Sequence, residues 1–144
     1  MSGFFGVFSP GGNLDHVAFD QMKSAIHREG YDELDTYVDH QIAMGHLMLR
    51  VTPDSVYDKQ PLKSDCGLYI LVGHFRLDYR DELGDKLGFT QKELDLTPDS
   101  LLVLKSYQKW GNKCVQYLEG DWAFGLYDKL SSSLFLARDK IGYS

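Results

Sequence analysis

Apolar residues crowd both faces of the first segment, where Phe4, Phe5, Val7 and Phe8 stand together before Pro10-Gly11-Gly12. That is the profile of a buried strand, Ser2 to Phe8, stopped by a turn, and a strand apolar on both faces belongs between two layers. From Asn13 to Glu29, Val17, Ala18, Met22, Ala25 and Ile26 recur near helical spacing. The spacing predicts an amphipathic helix, with Asn13 or Asp15 capping its start and Gly30 its end. Tyr37 to Leu49 and Cys66 to Val72 read as two further strands. Between them, Thr52 to Asp65 is polar, contains two prolines and has no period, which predicts a loop.

In the second half Asp78 is placed to cap a short helix carrying Leu83 and Leu87 and closed by Gly88. Thr97-Pro98-Asp99 opens a longer one: Thr suits the N-cap, Pro the first helical position, and Leu101, Leu102, Leu104 and Tyr107 supply the apolar stripe up to Gly111. Asp121 to Asp128 and Leu134 to Arg138 flank Lys129-Leu130-Ser131-Ser132-Ser133, a hairpin signature. Strands interrupted by paired helices, without a regular βαβ alternation, predict an α+β body of stacked sheets with helices outside.

Length and composition narrow the function classes. The chain has 144 residues, enough for one domain with a core of its own, and 43% hydrophobic and 25% charged residues place it among ordinary globular proteins. Its net charge is −6, without a basic run, which argues against nucleic acid and against an anionic membrane as partners. The longest apolar run, Leu68 to Val72, is far short of the roughly 20 residues of a spanning helix. The N-terminus lacks the basic start and long apolar stretch of a secretory signal, so a cytoplasmic location is expected. Cys66 and Cys114 stand far apart with no ligand spacing around them and read as reduced thiols.

The local signatures of phosphate-binding loops, zinc hydrolases and serine-elbow hydrolases are absent. The five histidines are scattered, and no metal site is expected from them. Ser2 is the residue with chemistry within reach. Once Met1 is removed, its hydroxyl would lie beside its own α-amino group, whose pKa of about 8 suits a general base.

Several segments, taken in order, resemble the class II glutamine amidotransferase domain of asparagine synthetases. Met1-Ser2-Gly3-Phe4-Phe5-Gly6-Val7-Phe8 is similar to that family's opening Met-Cys-Gly-Ile-x-Gly-Ile/Val-Phe. Gly45-His46-Leu47-Met48-Leu49 sits where the family has a His, a charged pair and Leu. Phe75 to Leu83 resembles the segment that reads Asn-Gly-Glu-Ile-Tyr-Asn and then Glu-Leu, and Asp99-Ser100-Leu101-Leu102-Val103-Leu104 resembles the family's Ser-Asp-x-Glu-x-Ile/Leu helix. The most specific match is Leu118 to Asp128 followed by Leu136-Ala137-Arg138-Asp139-Lys140-Ile141-Gly142.

The resemblance implies a four-layer αββα sandwich of the N-terminal nucleophile type, truncated at its C-terminal end. Residues 1–144 would then be a glutaminase-like domain, incomplete at the C-terminus and lacking the synthetase domain. In the family a Cys hydrolyses glutamine, an Arg after the His clamps the substrate carboxylate, Asn-Gly form the oxyanion hole, and an Asp at the helix start binds the α-amine. Here Ser2 replaces the Cys, Met48 the Arg, with Arg50 nearby, and His74-Phe75 the Asn-Gly pair; Asp99 is retained.

Those replacements imply a domain degenerate for glutamine hydrolysis, with a scaffold or docking role. The wording around Phe75 to Leu83 is nearer to lasso-peptide cyclases and β-lactam synthetases. The alternatives are an amidase acting through Ser2, and a free-standing ligand-binding module using Asp99 and His74. The implied partner is a synthetase-like domain or chain, with self-association through an apolar closing hairpin. No cofactor is expected in this domain; ATP and magnesium belong to the absent synthetase part.

Overall fold

The structure is a computed structural model that describes residues 3–26, 33–48 and 58–140. Strand β1 (Gly3–Phe8) is followed by helix α1 (His16–Ile26), then β2 (Glu33–Val38) and β3 (Ile42–Met48). After β4 (Leu62–Lys63) and β5 (Tyr69–Asp78) come α2 (Arg80–Leu87), α3 (Gln91–Asp95) and α4 (Asp99–Trp110). A 3-10 helix, Gly111–Tyr117, leads into β6 (Glu119–Asp128) and β7 (Ser133–Arg138).

The strands form two antiparallel sheets, ordered β1-β3-β2 and β4-β5-β6-β7. Helix α1 packs on β1 and β3, these two strands pack on β5, and α4 covers the other face of β5. The layers are therefore α1, first sheet, second sheet and α2 to α4, the αββα sandwich expected. Strand β1 lies between layers as its two apolar faces demand. Phe5 stacks on Phe19 of α1 at 5.4 Å between ring centroids, and Phe8 meets the edge of Tyr127 of β6 at 6.0 Å.

Two apolar clusters fill the gaps. Between the sheets lie Ile42, Met44, Ile70, Val72 and Tyr127, with Phe4, Phe8 and Tyr37 against them. Between the second sheet and the helices lie Leu71, Leu77, Leu102, Leu104, Phe124 and Leu126 among others. Burying each such Leu contributes about 1.5–3 kcal/mol, which is why alternate residues of β5 and β6 fix the stacking order.

Five boundaries differ from the sequence reading, the first in the expected loop Thr52 to Asp65, where Leu62–Lys63 forms β4. Tyr37 to Leu49 is not one strand: β2 and β3 make a hairpin whose turn is held by Asp39 Oδ1, accepting from the Gln41 and Ile42 N–H groups. Leu49 lies outside the described residues. The strand expected at Cys66 starts instead at Tyr69, because Ser64 to Gly67 forms a turn, with the Gly67 N–H donating to Ser64 O and Gly67 at φ +75°. Strand β5 then continues through Asp78, so Asp78 ends a strand and caps no helix; Tyr79, at φ 57°, precedes α2. Thr97 does not cap α4 either. Pro98 takes that place, and the Thr97 hydroxyl donates to Glu93 O at 2.7 Å. The short α3 was not expected, although Thr90 and Glu93 form a full capping box at its start.

Gly45, opposite Phe5 in the β1–β3 ladder, seats the Phe5 ring where a side chain would stand. Gly45→Ala is expected to push that ring off Phe19 and to cost about 1–3 kcal/mol in urea unfolding. An unchanged midpoint would contradict this packing.

Candidate functional site

Strand β5 organises the site through which of its edges each residue faces. In an antiparallel ladder a residue turns both its N–H and its C=O toward the same neighbour, and the next residue turns toward the other. The Lys129 N–H donates to Leu68 O and so continues the β5–β6 ladder, while the Ser64 N–H donates to Tyr69 O on the opposite edge. Even residues of β5 therefore face β6, and odd residues face outward. Trp122 agrees: it exchanges bonds with Asp139 on the β7 side, leaving Ala123 to bond His74.

On the outer edge β4 takes Leu71, opposite Leu62, and then stops. Gly73 is next, and side chains satisfy both of its backbone groups. Its N–H donates to Gln60 Oε1 at 2.7 Å, and its carbonyl lies 3.2 Å from His46 Nε2, which must carry the proton because a carbonyl can only accept. The Leu77 N–H donates to Asp99 Oδ2 at 3.0 Å. Phe75, between these two, has no edge partner among the described residues.

Both brackets are backed by the start of α4. The Ser100 hydroxyl donates to Asp58 Oδ1 at 2.6 Å, and Gln60 Nε2 donates to the same carboxylate at 3.1 and 3.3 Å. Asp99, one residue earlier, stands in the first turn, where the helix dipole favours its charge. Its Oδ1 is closed off from solvent and lies 3.1 Å from Arg80 Nη1, a close ion pair. Arg80 in turn donates to the carbonyls of Leu94 at 3.0 Å and Thr97 at 2.6 Å.

The expected site residues separate accordingly. Asp99 stands at the outer edge of β5 in the helix layer. His74 shares a strand face with Ile70 and Val72, which belong to the cluster between the sheets, so it looks toward the first sheet. Met48 and His46 share the facing side of β3 with Ile42 and Met44. His74, His46 and Met48 thus border one gap. Ser2 and Arg50 lie outside the described residues; Gly3, next after Ser2, opens β1 opposite Leu47. Phe75 packs its ring against Phe124 at 5.9 Å, in the helix-side cluster. A Phe in place of a Gly alters the side chain and leaves the backbone N–H, so that donor survives the replacement.

Sequence reasoning missed Asp58, Gln60, Arg80 and Ser100. Gln60 precedes a proline in an aperiodic stretch, and nothing there signals burial; Arg80 reads as one more solvated charge. Among the described residues no group of three His, Cys, Asp or Glu could hold a metal, and no helix is long and apolar enough to cross a membrane. Both cysteines are free, Cys66 exposed and Cys114 buried, where burial pushes its thiol up to about 11.

A nucleophile candidate thus stands one residue ahead of β1, an edge strand of the first sheet, and the facing sheet carries a backbone donor at Phe75 with no partner among the described residues. A family model described as "Glutamine amidotransferase domain" matches residues 1–144. The chain belongs to that family. Its relatives set it in the asparagine synthetase branch. It is 29% identical to asparagine synthetase [glutamine-hydrolyzing] 3 of Bacillus subtilis over 127 residues, which cover 85% of this chain and 20% of the relative. It is 27% identical to the putative asparagine synthetase [glutamine-hydrolyzing] 2 of Methanocaldococcus jannaschii, covering 99% of this chain and 30% of the relative. A putative asparagine synthetase [glutamine-hydrolyzing] of Mycobacterium bovis is 33% identical over 70% of this chain and 14% of its own length. The chain spans less than a third of these relatives.

In this glutamine amidotransferase domain both inter-sheet imidazoles are held neutral. Burial is the main cause at His46, which is 1% exposed, with His74 adding repulsion against the pull of Asp58 and Asp35. Burial also lowers His74, helped by Arg76 and opposed by Asp121 and Asp139. An unfolded chain binds these protons near the ordinary value of 6.5. The stability the pair contributes is therefore whole above that value and falls as pH drops below it. His46→Gln keeps a donor for Gly73 O and removes one titration. The fall in urea midpoint from about pH 7.5 to about pH 5.5 should be smaller in that variant than in the wild type; equal slopes would contradict a neutral His46.

Proposed function

We propose that this domain is degenerate for glutamine hydrolysis and serves as a scaffold or docking domain for an ATP-dependent, amide-forming synthetase part of the asparagine synthetase type. The observation that carries this reading is the state of Asp99. Its carboxylate is engaged by the Leu77 N–H and by Arg80, so its charge is already answered within the fold. Met48 supports it, since a thioether offers no bidentate contact to a carboxylate of the kind a guanidinium makes. So does Ser2, because a hydroxyl is a weaker nucleophile than a thiol without a well-placed base. ATP and magnesium would be handled by the synthetase part, and the partner is that domain or a separate chain carrying it.

One observation favours a second reading, an amidase acting through Ser2. The Phe75 N–H has no partner among the described residues on the β5 edge, and a backbone donor placed for a developing oxyanion is worth on the order of a hundred- to a thousandfold in turnover. In that reaction, after Met1 is removed, Ser2 Oγ would bond to the carboxamide carbon and its proton would pass to the α-amine. Ammonia would leave with that proton, and water would then release glutamate and restore the hydroxyl.

Purified protein given glutamine is expected to release ammonia no faster than the Ser2→Ala variant. Release above that variant, together with an N-terminal mass showing that Met1 is gone, would overturn the degenerate reading in favour of the amidase.

A further inference from the structure

The β4–β5 register places Leu62 opposite Leu71 and Lys63 opposite Ile70, so continuing the same ladder would set Gln60 opposite Gly73 and Asp58 opposite Phe75. The chain does not continue that way. At the Gly73 rung the Gln60 side chain replaces its own main chain as acceptor for the Gly73 N–H. His46 replaces it as donor to the Gly73 carbonyl. The backbone of 58–60 is thereby held a side chain's length off the edge, and Asp58 is turned to Ser100 instead of toward Phe75.

From this geometry we infer that Gln60 is a positioning residue: it satisfies Gly73 while keeping the main chain away, which leaves the Phe75 rung open for the carbonyl oxygen of a carboxamide ligand. The rung is one residue wide, bounded by Gln60 and His46 at Gly73 and by Asp99 at Leu77. Among the described residues it offers one unanswered N–H between two occupied rungs, which suits a single amide oxygen and not an added strand. Gln60 is 5% exposed, and it is locked by Asp58, so its orientation is set before any ligand arrives. The inference deepens the second reading above, in which this rung receives a carboxamide, and rests on it for the ligand alone.

Amide hydrogen exchange followed by NMR tests it, with L-glutamine as the probe. In the wild type Gly73 should exchange slowly and Phe75 fast, with His74 and Arg76 slow through their bonds to β6. Gln60→Met keeps the volume and removes the acceptor. It should speed Gly73 exchange roughly tenfold or more and abolish the shift that L-glutamine gives at the Phe75 amide. The paired change Gln60→Glu with Asp58→Asn moves the charge, keeps both hydrogen bonds and should restore both signals. A Phe75 amide as protected as its neighbours in the wild type, or Gly73 exchange unaltered in Gln60→Met, overturns the role of Gln60. The expected exchange pattern without any response to L-glutamine overturns the carboxamide as ligand and upholds Gln60 as the residue that opens the edge.

Discussion

A strand edge inside a protein must find a partner for each N–H and C=O along it, and β5 has to meet that demand after β4 ends at Leu62. It does so with side chains at Gly73 and Leu77, and leaves Phe75 without an edge partner among the described residues. Gln60 and His46 serve Gly73, Asp99 serves Leu77, and the first turn of α4 holds both ends of the arrangement through Asp99 and Ser100. An unmet buried backbone group would cost about 1–3 kcal/mol, so these contacts fix where α4 begins and where the segment 58–61 runs. They also tie the sheets together, since His46 belongs to β3 and Gly73 to β5.

The functional consequence follows from what the same residues can no longer do. An Asp at a helix start, with its carboxylate exposed, would be a ready site for a cationic group. Here Arg80 fills that place from α2, bridging at the same time to the carbonyls that end α3. The cation is therefore internal, and Asp99 joins strand, helix and ion pair into one unit. Among the described residues, Met48, His46 and His74 line the gap between the sheets, and none of the three supplies a guanidinium to clamp a carboxylate.

Much of the architecture is legible in the chain. Phe4, Phe5, Val7 and Phe8 give a strand apolar on both faces, and such a strand can only lie between layers. The closing hairpin is announced by its apolar runs and the Ser-rich turn between them. The boundaries that escaped have a common cause, namely side chains that bond locally: Asp39 breaks one apparent strand into a hairpin, and Ser64 delays the start of β5. The site was legible only in part. Ser2, His74 and Asp99 stand out by their place in family-like segments, yet the roles of Gln60 and Arg80 depend on a strand register and a helix packing that no local pattern encodes.

The commitment of Asp99 to the fold is the claim on which the account turns, and a double-mutant cycle measures it directly. Wild type, Arg80→Met, Asp99→Asn and the double variant would be unfolded in urea at neutral pH. If the pair is a partly buried, charge-assisted link, the coupling energy should be about 1–3 kcal/mol, with the double variant little worse than either single one. Additive effects, with coupling within about 0.5 kcal/mol of zero, would mean that Asp99 is not held by Arg80 and that its charge is available to a ligand.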